Sequence, residues 1–342
     1  MNSSEAIAKA ALDIGAITLS PQKPYEWASG FKMPIYNDNR KHLGYPANRK
    51  MITNAFEEII KENCIAVDMV SGTSTSGIAP AASLAQRLKV PINIFDGSGD
   101  SQIICQYSPE FIDSLVTKIG DGNYDVVVST CPAAIIPGVS FANERELPFA
   151  YVRESMKKHG LMQQIEGVVK GDQRAVLVDF HNRYSYMEKA KNVLEEKGIE
   201  VVKIVSEDIF PEYRPPVLAG KELLHIEDLV STGGSCIEEI ESYRRWGTKV
   251  NGVSTHDQET ATTHASVNWC NAIFSYDFPE SLKKFSDIKC SFKAALDYLT
   301  LLEVAVKDGR IEPEQHEMLK EWRADPFAWG AKHGFPPVEK KA

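Results

Sequence analysis

Short apolar runs recur down the chain, and most are followed by a segment of helical spacing. This alternation limits the fold more than any other feature. It reads as strand 66–71, helix 77–88, strand 91–95, then helix 109–119, strand 124–129, helix 137–145 and strand 148–152. A polar loop, 153–167, separates these from strand 174–179, helix 185–197 and strand 200–205, and then from strand 222–227, helix 234–245 and strand 249–254. Helical spacing also marks 5–16, 47–63, 291–307 and 313–323. Strands that alternate with helices return in the same direction, so they build a parallel sheet covered on both faces. In such α/β sheets, ligands bind where strands end and helices begin.

Part of this pattern is stated twice. At a constant offset of 57 (125 − 68), Val67–Phe95 and Tyr124–Val152 align without gaps. They share Asp68/Asp125, Val70/Val127, Thr73/Thr130, Ile78/Ile135, Pro80/Pro137, Ser83/Ser140, Ala85/Ala142 and Pro91/Pro148. A fainter echo aligns Ala175–Ser206 with Leu224–Thr255 at an offset of 49, with identities Asp179/Asp228, Gly198/Gly247 and Val201/Val250. The repeated pattern there is apolar strand, Asp, loop, helix, Gly, strand, which any βαβ unit shares.

With 342 residues, 43% apolar and 25% charged, the chain can bury a sizeable core. Its net charge of −9 argues against a protein that lies along nucleic acid or an anionic membrane. No run of eighteen apolar residues is present, and the first residues have no cleavable apolar core. Six cysteines (Cys64, Cys105, Cys131, Cys236, Cys270, Cys290) are scattered without a CxxC pair, as expected of reduced thiols in a cytoplasm.

The stretch LLHIEDLVSTGGSCIEE (223–239) carries the densest chemistry. An apolar strand ends in Glu227 and Asp228. Leu229 and Val230 follow, then the turn Ser231-Thr232-Gly233-Gly234-Ser235, then a helix. Glycines let backbone N–H groups converge on an anion, and the helix N-terminus adds its positive dipole end. The hydroxyls add donors. This suits a phosphate monoester. Acids beside a phosphate site need a separate task, such as holding sugar hydroxyls or a divalent cation.

The stretch resembles the phosphoribosyl pyrophosphate motif of the type I phosphoribosyltransferases. EWASGFKMPIYNDNR (26–40), SGTSTSGIAPAA (71–82), YVRESMKKHGLMQQIEG (151–167), IFSYDFPESLKKF (273–285) and LLEVAVKDGRIEPEQHEMLKEW (301–322) narrow the resemblance to orotate phosphoribosyltransferase, in the same order along the chain. It implies that orotate displaces pyrophosphate from phosphoribosyl pyrophosphate to give orotidine 5′-monophosphate, with Mg²⁺ accompanying the substrate. Glu227 and Asp228 would then hold the ribose hydroxyls, directly or through Mg²⁺, with no metal ligated by protein alone. Ser231–Ser235 would hold the 5′-phosphate, with Ser231 near the base. Thr73, Ser74, Thr75, Ser76 and Gly77 match the pyrophosphate loop. Ser29, Gly30, Tyr36, Asn37, Asp38 and Arg40 match the segment that covers orotate. Arg153, Lys157 and His159 match a basic loop that closes over the leaving pyrophosphate; with Asp228 they form the implied catalytic set. Glu154, Met156, Leu161 and Met162 stand where the family's loop is richer in Gly and Lys.

Against about two hundred residues expected of such a protein, the surplus lies at 96–150 and 168–221. Its placement suggests nesting: an outer catalytic domain, 1–95 and 222–342, interrupted by a degenerate second copy, 96–221, that has lost both anion cradles but keeps the basic loop 153–167. In the resembled family, the loop of one subunit closes the site of its partner. The expectation is therefore a pseudo-dimer within one chain, with a homodimer of whole chains as a further option. Two other functions fit the motifs: transfer to a different nucleobase, or a regulatory protein that binds phosphoribosyl pyrophosphate. Asp96–Asp100 fails as a calcium loop because Tyr107 takes the twelfth position. The group His256, Asp257, Glu259 and His264 reads as a polar surface insertion. His225 reads as a packed core histidine, and Trp246, Trp322 and Trp329 as packing residues.

Overall fold

The structure is a computed structural model that describes residues 2–27, 29–96, 103–153, 164–179, 184–206, 218, 220–246, 249–250, 253–254 and 265–337. Helix α1 (Ser3–Asp13) starts on a capping box, in which the Asn2 side chain accepts from Glu5 N–H and Glu5 accepts in return from Asn2 N–H. Two short antiparallel ribbons follow. Strand β1 (Ile17–Leu19) pairs with β4 (Ile35–Asn37), and β2 (Tyr25–Glu26) pairs with β3 (Lys32–Met33). A 3₁₀ turn, Asn39–Gly44, leads into α2 (Pro46–Glu62).

The first large sheet opens with β5 (Met69–Gly72), α3 (Ile78–Leu88), β6 (Ile92–Asp96) and β7 (Ile103–Tyr107). After α4 (Pro109–Ile119) the chain builds a second sheet from β8 (Val126–Thr130), α5 (Ile135–Glu144), β9 (Phe149–Val152), β10 (Ile165–Gly167), β11 (Arg174–Asp179), α6 (Tyr184–Glu195) and β12 (Glu200–Ser206). It then returns to the first sheet through β13 (Glu222–Val230) and α7 (Gly234–Trp246). The pair β14 (Lys249–Val250) and β15 (Val253–Ser254) is followed by β16 (Ser266–Ser275), α8 (Pro279–Asp287), β17 (Ser291–Asp297) and α9 (Tyr298–Lys307). Helices α10 (Pro313–Ala324) and α11 (Pro326–Lys332) end the described chain.

The first sheet has the order β7-β6-β5-β13-β16-β17, and the second β10-β9-β8-β11-β12. In each, only the β6–β7 or β9–β10 edge pair is antiparallel. From that edge inward, the second sheet repeats the strand order and directions of the first. The sequence register of 57 carries β5, α3 and β6 onto β8, α5 and β9. The peptide bonds Ser74–Thr75 and Cys131–Pro132, also 57 apart (131 − 74), are both cis. Residues 103–107, placed by the sequence reading in the inserted segment, form the edge strand of the first sheet.

The duplicated helices α3 and α5 pack on each other. Asn143 Nδ2 donates to Ser83 Oγ at 2.9 Å, and Gln86 Nε2 to the Ser140 carbonyl at 3.3 Å. Core residues Leu84, Ala85, Ile135 and Val139 belong to one hydrophobic cluster that runs across this contact. The outer faces have their own clusters, Leu223, Ile240 and Tyr243 under α7, and Val126, Leu177 and Leu194 under α6.

Three expectations change. Residues 291–307 are not one helix but β17 followed by α9. Ser291–Ala294 alternate between exposed and half-buried, as a strand does, and Asp297 caps α9 by accepting from Thr300 N–H. The expected strand 249–254 is two short strands paired antiparallel. Strands β10 and β16 were not anticipated, the first because it lies within a polar stretch. Trp322 and Trp329 are fully buried, as read. Residues 255–264, with both of their histidines, and 97–102 lie outside the described residues.

Candidate functional site

Strand β13 passes through the centre of the first sheet and ends at the acid pair. Glu227 is 3% exposed, and its Oε1 accepts Asp228 N–H at 2.8 Å. Burial first, and the neighbouring Asp228 second, push the Glu227 carboxyl well above the usual range. Asp228 is half-buried. Its Oδ1 accepts the Ser76 hydroxyl at 2.8 Å, and its carbonyl accepts Asn39 Nδ2 at 2.6 Å. Val230 is packed into the core and Leu229 half-buried, so both can serve a ligand only through backbone. The turn 231–235 then opens α7. Gly233 has φ 74°, a left-handed conformation that favours glycine. Lys284 Nζ, from α8, donates to the Thr232 carbonyl at 3.0 Å and braces the turn. Ser235 is exposed at the mouth of α7, where unpaired N–H groups and the dipole favour an anion.

The loop Thr73–Gly77 sits beside this turn. A Cβ on Gly77 would lie 2.6 Å from the Ile226 carbonyl oxygen, so only glycine lets the loop close onto β13. Thr73 is 5% exposed, and its hydroxyl is bonded to His225 Nε2 at 2.9 Å; Ser71 Oγ bonds His225 Nδ1 at 2.8 Å. Thr73 therefore supports the loop, and Ser74, Thr75 and Ser76 are its accessible members. His225 is the buried core histidine the sequence suggested, with both ring nitrogens engaged. Burial opposes its charge, but Cys236 and Glu239 outweigh that and raise its pKa. Ser74 N–H donates to Glu239 Oε1 at 3.1 Å, and burial pushes that carboxyl up to about 7.

The base-covering candidates divide. Arg40 donates from Nε to Asp38 at 2.6 Å and from Nη1 to Glu166 at 2.5 Å. Tyr36 is half-buried beside Asp38 and Arg40, and burial is the main cause of its raised pKa. The Asn37 amide is buried without a partner among the described residues. Ser29 and Gly30 form the β2–β3 turn. Among the described residues, no hydrogen bond joins that turn to 73–77 or 227–235. Arg153 N–H bonds the Gln164 carbonyl at 2.9 Å, and its Nη1 lies 3.7 Å from Glu166. Lys157 and His159 lie outside the described residues.

Compared along its length, the chain is 30% identical over 317 residues to the orotate phosphoribosyltransferase of Staphylococcus aureus strain Mu50, spanning 93% of this chain and 96% of that protein. The chain belongs to the orotate phosphoribosyltransferase family. The Lactococcus lactis subsp. cremoris orotate phosphoribosyltransferase is 28% identical over 331 residues, spanning 97% of this chain and all of its own. No family model matches. Solved orotate phosphoribosyltransferases from Aeropyrum pernix (16% identity, TM-score 0.38, 89% of this chain and 99% of that one) and Mycobacterium tuberculosis (11%, 0.37, 88% and 99%, in complex with phosphoribosyl pyrophosphate) superpose weakly. The family assignment rests on the sequence relatives.

Within this transferase family, the sequence reading missed Asn39, Glu166, Tyr151 and Glu239. Asn39 and Glu166 stood inside quoted motifs (NDNR and QIEG) without a role. Tyr151 is 1% exposed, in an apolar strand that gives no outward sign of a site; its pKa is raised by burial first, then by Glu166. No helix is long and apolar enough to cross a membrane, among the described residues.

Proposed function

We infer that the protein is a cytoplasmic orotate phosphoribosyltransferase of pyrimidine nucleotide synthesis. Orotate N1 attacks the anomeric carbon of phosphoribosyl pyrophosphate as the bond to pyrophosphate breaks. One observation carries the reading beyond family membership: Ser76 of the 73–77 loop is bonded to Asp228 of the 227–235 turn. A ribose-binding acid and two anion loops therefore share the carboxyl end of the central strands. Residues 231–235 take the 5′-phosphate, Ser74–Ser76 the pyrophosphate, and Glu227 with Asp228 the ribose hydroxyls. Arg153, Lys157 and His159 supply the positive charge that the leaving group needs. Tyr36, Asn37 and Arg40 face the base, with Ser231 at its edge; Ser29 and Gly30 approach it only on binding.

Two adjacent carboxyl groups at one strand end, Glu227 buried and Asp228 half-buried, are too few ligands for a resident metal cage and fit a Mg²⁺ carried in by the substrate. When bound, the cation neutralises charge on the pyrophosphate.

The matching strand orders of the two sheets support a nested second copy, here bounded at about 108–221, inside the outer domain. This copy acts as a built-in partner. Its Cys131 Sγ lies 3.8 Å from Thr75 Oγ1, and its Glu166 is bonded to Arg40, so it is seated against the outer site. Pairing of whole chains as homodimers is compatible with this internal arrangement.

The test is orotate consumption by absorbance with phosphoribosyl pyrophosphate and Mg²⁺, with and without Lys157→Ala. Turnover that collapses in the variant is expected. Tight phosphoribosyl pyrophosphate binding without orotate turnover would direct the reading to another base or to a regulatory protein.

A further inference from the structure

We propose that Glu166 is a positioning residue for the base site. Acting through Arg40, it turns one edge of the guanidinium toward the flat, anionic orotate. The proposal rests on the transferase reading above.

Arg40 is 13% exposed and lies between two buried carboxylates, Asp38 at 5% and Glu166 at 3%. The guanidinium is a rigid plane with five N–H donors in a fixed fork. Asp38 takes Nε and Glu166 takes Nη1. One such bond would leave the plane free to swing about it, whereas two bonds to separate carboxylates fix both its direction and its rotation. Nη2 has no partner among the described residues. Its neighbour Asn39 donates to the Asp228 carbonyl at 2.6 Å, which sets Arg40 beside the strand end that carries the acid pair.

Orotate presents a carboxylate and two carbonyl oxygens in one plane, all of them acceptors. A fixed guanidinium edge suits such a rim better than a mobile point charge. The charges also balance. Asp38 and Glu166 are matched by Arg40 and by Arg153, whose Nη1 lies 3.7 Å from the same Glu166 oxygen. Asp228 lies outside this balance and is assigned to the ribose, so the two acids around Arg40 do not by themselves repel an incoming anion.

Arg40 and Asp38 come from the N-terminal segment. Glu166 comes from β10 of the second sheet, opposite Tyr151 in the β9–β10 ladder. The base site is then incomplete without the second sheet. This gives the second sheet a positional role whether or not it binds any ligand of its own.

The experiment compares the unsubstituted protein with Glu166→Gln, Arg40→Ala and the double variant, varying each substrate with the other saturating. Where turnover is too slow, orotate affinity is read by calorimetry with pyrophosphate present. Loss of one charged hydrogen bond that aims Arg40 is expected to raise the orotate KM of Glu166→Gln about tenfold. Because Glu166 also faces Arg153, the variant's kcat and its KM for phosphoribosyl pyrophosphate should change too, but by at most about a third as much as the orotate KM. In the Arg40→Ala background, adding Glu166→Gln should change orotate affinity by less than about twofold, because the two residues act as one unit. If Glu166→Gln fails to fold, Glu166→Asp keeps the charge and should give an intermediate orotate KM with kcat unchanged. Equal rises in both KM values, or an undiminished Glu166→Gln effect without Arg40, overturn the positioning role alone. Absence of orotate turnover in the unsubstituted protein overturns the transferase reading and the positioning role together.

Discussion

Ser76 donates its hydroxyl to Asp228 at 2.8 Å, closing the 73–77 loop onto the strand end that carries the acid pair. The bond aims the carboxylate and spreads its charge next to the place where a polyanion must enter. Ser76→Ala leaves that charge one donor poorer. The expected result is a rise of about tenfold in KM for phosphoribosyl pyrophosphate, the worth of a hydrogen bond to a charged group. The orotate KM should hold within about twofold. Steady-state kinetics with each substrate varied in turn measure both, and an unchanged KM for phosphoribosyl pyrophosphate would remove Ser76 from the site.

Arg49 joins the two sheets through their helices. It is 5% exposed and donates to the carbonyls of Leu43 at 2.5 Å and Leu147 at 2.7 Å, and to Asn143 Oδ1 at 2.9 Å. Burial pulls its pKa down to about 10, so it remains charged at neutral pH. Arg49→Met keeps the length and leaves three acceptors without their donor. A loss of about 3 kcal/mol is expected, typical of breaking one side of a buried charged network. Urea denaturation midpoints measure it, and a loss below about 1 kcal/mol would mean that water reaches those acceptors.

The alternation of strands and helices was legible because apolar runs such as Val126–Val128 and Ala175–Val178 are buried on both faces of a parallel sheet. The turn 231–235 between a strand and a helix was legible because an apolar run, two acids and a double glycine stand there in succession. What failed was local ambiguity. In KAALDYLTLLEVAV the alanines and leucines hide a strand behind a helical pattern, and the Asp297 cap in its middle was the overlooked signal. Arg40 stood out in the sequence as a candidate, but its bond to Glu166 did not, because no spacing rule joins positions 126 residues apart.

Two buried groups give opposite acid responses. His42 is 2% exposed, and burial lowers its pKa to about 4, with Asp38 opposing. The unfolded chain takes up that proton below about 6.5 and the folded chain only near 4, so His42 makes acidification destabilising across this window. Glu239, raised to about 7 by burial, keeps a proton that the unfolded chain releases above 4.5, so it makes alkalinisation destabilising from 4.5 to 7. The slopes oppose each other, each up to about 1.4 kcal/mol per pH unit. Relative to the unsubstituted protein, His42→Gln should gain stability as pH falls from 6.5 to 4.5, and Glu239→Gln should lose it. Denaturant midpoints at three pH values read the difference, and parallel profiles for all three proteins would sink the assignment.

Cys236 and Cys270 bring their sulfurs within 3.4 Å under α7. The hydrogen bond from Cys270, and then His225, lower the Cys236 thiol to about 6, which alone would make it reactive at neutral pH. Yet Cys236 is 1% exposed, and Cys270 is fully buried, whereas Cys64 is exposed. Accessibility should win. Maleimide labelling followed by peptide mass mapping is expected to modify Cys64 first, and Cys236 only in denaturant. Early labelling of Cys236 would show that α7 opens in the native protein.

The second sheet repeats the strand order of the first but lacks the 73–77 and 231–235 sequences, and Tyr186 marks the difference. At the offset of 49, Tyr186 takes the place of Ser235 (235 − 49 = 186). Its hydroxyl donates to the Val152 carbonyl at 2.5 Å and accepts Cys131 N–H at 3.4 Å; Cys131 stands 57 residues after Ser74. That N–H is taken by a side chain, as the matching Ser74 N–H is taken by Glu239, so the difference between the two lies in the acids. Asp179, the counterpart of Asp228, is fully buried and accepts the Thr130 hydroxyl at 2.6 Å, whereas Asp228 is partly open. At these positions the second sheet satisfies its polar groups with its own side chains. Calorimetry with orotidine 5′-monophosphate should give one site per chain, and Tyr186→Phe should leave that number unchanged, because Asp179 stays buried. Two equivalent sites per chain would refute the division into one working and one supporting copy.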